Sequence, residues 1–485
     1  FVVIQRIVLS SSLMSCQKST KYRKDMLIAD KDRNDNEVVR KLVNEAEKYS
    51  LEEHKNERLE CYLMLSNMTS LWLMQTTGIS SDLYHKVDVF ATTPEDFMAK
   101  SIFVKLPNIQ SPYPALDRKP IDINSETTIH LVIFGKNDLA EALAINAALV
   151  AHYPNYCRDH HLRTRISIVA DDIFSWRDLL VQRYQHLFAN SYYRTINLEE
   201  EIPECFYHQP MYGKTREDFV DVEWEFVNGN LRNDALRMKL EEWSESERQQ
   251  LTVAICMEDQ QRNFIEAFTL PEVLYKNQIP VLCYTEESDM MDLMRNDDRY
   301  QSVFPFGSYI CQMGILESLK QLAKRVNYVY DYCFSLPQNV PISSPSVIDE
   351  RKLDNQWTQV GSLPKQYSNI FNAMTIGSKM HSLGHGQEDW QRYYALSKQE
   401  IEIMTEVEHN RWNIEELILG YRPVTDEEQK MMENDISLKK KFRGNKIHYD
   451  IRAFHDLRPD ATGKQVYVYA NNYAAHTHQL QVFHN

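Results

Sequence analysis

The sequence predicts an α/β fold, a doubly wound parallel sheet preceded by a helical region and followed by a mainly helical C-terminal part. Three observations predict it. Short apolar runs rich in β-branched residues alternate with helical stretches between Thr127 and Glu287. Each run closes on glycine or on acids, as parallel strands do where the chain turns into a helix. A Pro- and Ser-rich stretch near 335–355 then separates this block from a helical remainder.

A chain of 485 residues exceeds one ordinary core, so two or three domains are expected. Hydrophobic residues make up 43% and charged residues 25%, a globular balance. The net charge of −15 argues against a general nucleic-acid binder, because neutralising phosphates needs a basic surface. Eight cysteines are scattered without a C-x-x-C pair, which excludes a zinc ribbon or redox dithiol and suits a reducing, cytoplasmic compartment.

The opening "FVVIQRIVLSSSLMSC" is too short to span a bilayer. It reads as N-terminal packing, or as the end of a membrane or signal segment lying upstream, with Leu13-Met14-Ser15-Cys16 similar to a lipoprotein cleavage site. From Thr20 to Thr77 the apolar residues recur at three- and four-residue steps, which predicts a helical N-terminal region over 1–80.

"TTIHLVIFG", Thr127 to Gly135, predicts a strand, "KNDLAEALAINAALVAHY" a helix, and "RISIVADD", Arg165 to Asp172, a second strand. Strand, turn, helix and strand ending in an acid form the βαβ unit of a Rossmann-type fold, in which Gly135 and Asp171 are the candidate cofactor positions. The loop is degenerate, since no G-x-G-x-x-G is present and Asp138 stands where a phosphate would lie, so NAD is disfavoured. "LTVAICMED", a helix interrupted at Pro271 and "IPVLCYTEE" predict the second half of the sheet. The acidic excursion from Asn197 to Gln249 between the halves reads as a lid or partner surface. The expected boundaries are 81–340 for the Rossmann-like domain, 341–365 for a linker and 366–485 for the helical domain and tail.

Within that last part, "EVEHNRWNIEELILGYRP" carries the sharpest question. Ser397 and Glu400 predict a capping box, and Gly420 a stop. Ile401, Met404, Val407, Trp412, Ile414, Ile418 and Leu419 share one arc of the helix, with Glu402, Glu406, His409, Asn410, Asn413 and Glu416 opposite. Glu408, Arg411 and Glu415 project from the middle of the apolar arc at spacings that let Arg411 meet both carboxylates. Two readings stay open: a buried, internally neutralised strut between helices, or one wall of a ligand cleft.

This helix, followed by "KKKFRGNKIHYDIRAFHDL", resembles the ryanodine-receptor (RyR) domain, a small helical unit found in pairs in those calcium channels and singly in bacteria. The family pattern falls on Glu408, His409, Arg411, Trp412, Gly420, Tyr421, Lys446, His448, Tyr449, Asp450, Ile451, Arg452 and Phe454, with Ala453 replacing the usual proline. "VIFGKNDLAEALAINAALVAHYPNY", "FPFG" and "SNIFNAMTIGSKMHSLG" are similar to bacterial proteins joining such a domain to a TrkA-N type Rossmann module. The resemblance implies a non-enzymatic, ligand-sensing regulator, often membrane-associated or tied to nucleotide signalling and ion transport. Its expected ligand is a small nucleotide-like anion such as an adenine nucleotide, its expected state a homo-oligomer. Glu408, His409, Arg411, Trp412, Glu415, Tyr421, Lys446, His448 and Arg452 form the candidate ligand-binding set, in which Trp412 and Tyr421 would stack on a base and Arg411, Lys446 and Arg452 meet phosphate. An NAD(P)-dependent oxidoreductase and a structural assembly protein are the alternatives. His476-Thr-His478 could clip a metal, but no zinc-enzyme spacing, G-x-S-x-G or Walker loop occurs.

Overall fold

The computed structural model describes residues 3–5, 25–28, 44, 59–79, 84–106, 109–200, 204–210, 218–286, 296–307, 313–335, 348–385, 397–435 and 437–457. Four short strands come first: β1 (Val3–Gln5), β2 (Asp25–Ile28), β3 (Leu59–Met64) and β4 (Val87–Thr92). They pair in that order, β1 antiparallel and the others parallel. The helical region expected over 1–80 therefore holds three strands among its described residues, β1 to β3, and "LECYLM" is one of them because it finds a parallel partner in "VDVFAT", with Leu63 and Val87 fully buried. Helix α1 (Met68–Thr77) follows β3, and α2 (Pro94–Phe103) follows β4 with Thr93 as its cap and proline in its first turn.

The main sheet contains β5 (Thr128–Phe134), β6 (Thr164–Ala170), β7 (Tyr193–Asn197), β8 (Glu204–His208), β9 (Val222–Asn228), β10 (Gln249–Ile255), β11 (Val281–Tyr284) and β12 (Val303–Phe306). Their order is β12-β11-β10-β5-β6-β9-β7-β8, and every pair but β7–β8 is parallel. This is the Rossmann-like doubly wound α/β sheet the sequence predicts. The chain leaves β5 toward β6 and later returns to β10 on the other side, so the order reverses between β5 and β10.

Alternation along β5 explains why helices cover both faces. Ile129, Leu131 and Ile133 join the larger core, under α3 (Asp138–Val150) and α4 (Ile173–Arg183), whereas Val132 and Phe134 enter a second core under α5 (Asp234–Glu245) and α6 (Gln260–Phe268). Twelve residues of α3, Leu139 to Val150, are buried, which is why its sequence is nearly all alanine and aliphatic.

Over its described residues the acidic excursion is strands β8 and β9 and helix α5, part of the sheet layer and not a lid. Val222, Trp224 and Phe226 alternate into the larger core as β9, which pairs with both β6 and β7. Its interposed acids are satisfied across the strands: Glu223 accepts from Arg165 Nε at 2.6 Å, and Glu225 pairs with Arg194.

Helices α7 (Met313–Ser335), α8 (Glu350–Thr358), α9 (Leu363–Ser382) and α10 (Lys398–Ile418) pack onto the α3 side. The expected linker at 341–365 is not one over its described part: Ile348, Leu353 and Trp357 are core residues, and Trp357 Nε1 donates to Asp88 Oδ1 at 3.0 Å. Residues 341–347 of that expectation lie outside the described residues. The capping box of α10 forms as predicted, Ser397 accepting from the Glu400 amide and Glu400 from the Ser397 amide. Beyond it come α11 (Asp426–Asn434), α12 (Leu438–Gly444) and a two-stranded pairing of Arg422–Pro423 with Ile447–His448.

Candidate functional site

A cleft of ≈ 330 Å³ opens at the carboxyl ends of β5, β6, β9 and β10, across the reversal point of the sheet. Each wall is made by the residues that end a strand. Gly135 leaves β5 with φ +149°, and a Cβ there would lie 2.9 Å from the Cys256 carbonyl, so the two loops approach too closely for any side chain. Asn137 then caps α3, its side-chain carbonyl accepting from the Ala140 amide at 2.9 Å, while its side-chain amide donates to the Cys256 carbonyl of the β10 loop at 2.7 Å. The β5 and β10 loops are thereby tied together at the floor of the cleft.

On the β6 side stands Asp171, exposed, with Oδ1 accepting from Asn230 Nδ2 at 2.6 Å. Lys136 Nζ donates to the Asp171 carbonyl at 2.7 Å and closes the rim. The β10 side ends in Met257, Glu258 and Asp259; Asp259 caps α6 by accepting from the amides of Gln261 and Arg262 at 3.0 and 3.1 Å. Val169, Leu231 and Met257 line the cleft with apolar surface. Four carboxylates, Asp171, Glu258, Asp259 and Glu266, face two cations, Lys136 and Arg262. With Asp138 in the first turn of α3 as well, the helix terminus gives little attraction to phosphate.

Sequence reasoning thus places Gly135 and Asp171 in one site, and the structure brings both together. It missed Asn137 and Asn230. Asn137 carried a readable signal, a cap-type residue directly before an alanine-rich helix. Asn230 sits beyond β9, which the acidic excursion concealed.

Helix α10 gives a different result. Glu408, Arg411 and Glu415 are 1%, 0% and 0% exposed. Arg411 Nε donates to Glu408 Oε1 and Oε2 at 3.0 and 2.9 Å, and Arg411 Nη1 to Glu415 Oε2 at 2.5 Å. Glu408 also accepts from Asn372 Nδ2 at 2.7 Å and pairs with Lys379, both on α9. The expectation that these three side chains touch a ligand is corrected: they have no access to one, and they join α9 to α10. Burial pulls the Arg411 guanidinium down, but the two carboxylates outweigh it and hold it above its ordinary value. Burial pushes the Glu415 carboxyl up, against the pull of Arg411, and pulls the Lys379 ammonium down, against the pull of Glu408.

The expected polar side of α10 is also covered. His409 and Asn413 are fully buried, and both donate to the Arg452 carbonyl, at 2.8 and 2.9 Å, which docks the segment around Arg452 onto the helix. His409 is therefore a packing residue, and Arg452 contributes through its backbone; its Nε donates to the Tyr449 carbonyl at 2.7 Å. Trp412, Tyr421, Lys446 and His448 do come together. Trp412 lies edge-on to His448 at 4.9 Å, and Lys446 Nζ sits 4.3 Å over the Tyr421 ring while donating to the Thr76 carbonyl at 2.8 Å. Burial and the neighbouring Arg443, His409 and Arg452 push His448 down to about 3, so it stays neutral and accepts from the Asp450 amide. These aromatic faces and the Lys446 ammonium are engaged with each other and with main chain. His476 and His478 lie outside the described residues, and among the described residues no three metal-binding side chains gather.

Fold and cleft define the class as an α/β protein with a Rossmann-like doubly wound sheet and a ligand-sized opening at its reversal point. Comparison with protein-family models, with curated proteins and with solved structures finds no match. Among the described residues no helix is long and apolar enough to cross a membrane.

Proposed function

We propose that the protein is a non-enzymatic ligand-sensing regulator whose ligand enters the sheet-edge cleft through a ribose-bearing, nucleoside-type group. The observation that carries the reading is the position of Asp171, directly after β6, the strand next to the reversal between β5 and β10, where an acid can accept two hydroxyls of a ribose. Val169, Leu231 and Met257 offer an apolar wall for a base. The surplus of carboxylates favours the nucleoside part over its phosphates, so an adenine nucleotide would hold its phosphates outside. Asn137, Asn230 and Asp259 are spent on fixing the loops, which suits recognition more than turnover. In this reading α10 and its charge cluster form the rigid body that the RyR-like motif builds, with sensing in the α/β module.

Isothermal titration with adenosine, AMP and NAD tests it. Adenosine should bind at least as tightly as AMP, and Asp171→Ala should weaken it about tenfold or more, the worth of a charge-assisted hydrogen bond. Absence of adenosine binding, or binding indifferent to Asp171→Ala, overturns the reading.

A further inference from the structure

A second cavity, ≈ 230 Å³, lies at the other end of α3, between the chain following α2 and helix α9. Nothing in the sheet-edge cleft uses it, and its chemistry is of the opposite sign. Val150 and Tyr153 close it on the α3 side, Met374, Ser378 and His381 on the α9 side, and Lys105, Tyr113 and Asp117 from the intervening loop.

Three polar groups converge there. His381 Nδ1 is 3.0 Å from Asp117 Oδ2. That hydrogen bond, working against partial burial, holds the imidazole above its ordinary value, and the protonated ring has Nε2–H as a second donor. Lys105 Nζ donates to the Ile102 and Tyr113 carbonyls at 2.9 and 3.0 Å and to Ser111 Oγ at 3.1 Å, a saturated ammonium held in place by main chain. Burial lowers Lys105 to about 8, which still leaves it charged at neutral pH. Tyr153 is only 5% exposed and lines the cavity, and among the described residues its hydroxyl has no hydrogen-bond partner. Its oxygen is not sealed from the cavity, so a molecule held there can accept a hydrogen bond from the hydroxyl. Burial and the charges of Asp117 and Asp221 push it well above its ordinary value, so it remains a donor.

With His381 protonated, Lys105 and His381 outnumber Asp117 by one positive charge, and the lining adds the Tyr153 hydroxyl and an apolar remainder from Phe103, Leu116, Val150 and Met374. We infer that this cavity is a binding site for a small monocarboxylate with a short apolar tail, its carboxylate accepting from Tyr153 and His381 and balanced by Lys105. The site is independent of the cleft at the opposite end of α3 and stands or falls without it.

Butyrate is the probe, with succinate and inorganic phosphate as comparisons, read by saturation-transfer NMR and thermal shift on the full chain. Butyrate should bind saturably, with a Kd on the order of 1 mM or tighter. Tyr153→Phe keeps the ring and loses no native hydrogen bond, so its unliganded melting temperature should match that of the parent, while its butyrate affinity falls about tenfold. His381→Gln supplies a second variant and should weaken butyrate similarly. Non-saturable butyrate binding, affinity unchanged in Tyr153→Phe, or succinate or phosphate binding as tightly as butyrate would each overturn the inference.

Discussion

Replacing Arg411 with methionine separates a strut from a ligand contact. The side chain is fully buried and closes a neutral group of four charges, Arg411 and Lys379 against Glu408 and Glu415. In the variant, Glu408 keeps Lys379 and Asn372, but Glu415, 0% exposed, has lost its cation. It must either stay charged in the core or take up a proton. Proton uptake at pH 7 by a carboxyl that ionises near pH 4.3 when unfolded costs about 2.7 pH units, or about 3.7 kcal/mol, within the ~3–5 kcal/mol for breaking a buried pair. Urea denaturation followed by tryptophan fluorescence should show that loss at pH 7. Because the unfolded chain also binds the proton at low pH, the loss should shrink by about 1.4 kcal/mol per unit as pH falls toward 4. Adding Glu415→Gln should recover most of it, since Lys379 and Glu408 then balance alone. A cost below about 1 kcal/mol, or one independent of pH, would refute the reasoning and return Arg411 to the list of ligand contacts.

Other expectations follow from the same geometry. Gly135→Ala places a Cβ 2.9 Å from the Cys256 carbonyl at φ +149°, so it should cost at least about 1 kcal/mol and abolish adenosine binding, measured by denaturation and titration together. His448 is held neutral down to about 3, whereas an unfolded histidine binds its proton near 6.5, so between these values the unfolded state carries more protons and stability rises with pH. That contribution is fully present above about pH 6.5, and the pH-stability slope below it should flatten in His448→Asn, which can still accept from the Asp450 amide.

The strands easiest to read were those whose environment is uniform. β5, β6, β10 and β11 are flanked by neighbours and covered by helices, so they are mostly apolar runs followed by Gly135, Asp171, Glu258 and Glu286. β9 escaped because Glu223 and Glu225 interrupt its run, and the facing Arg165, Arg194 and Ser167 make them tolerable inside a sheet. Partners 30 to 60 residues away leave no local trace. β3 was misjudged for a related reason: "LECYLM" suits either a helix or a strand, and the pairing with Val87–Thr92 decides. Helix α8 was lost inside a proline-rich stretch, although Leu353 and Trp357, one turn apart, were a readable apolar pair.

The sequence held one further clue to the cluster on α10. Glu408, Arg411 and Glu415 sum to one negative charge, and their spacing lets them meet whatever the rest of the chain does. A nucleotide-like anion would add negative charge to a site already in deficit, so arithmetic alone favours a missing cation over a missing anion. The cation must come from an element packed against the apolar arc, since that is where the carboxylates point. Lys379, on α9, meets both conditions: it follows the buried residues Phe371, Met374 and Ile376 on a helix that packs against α10. Charge balance within a buried arc therefore identifies the neighbouring helix, and it does so by the same rule that excludes the ligand.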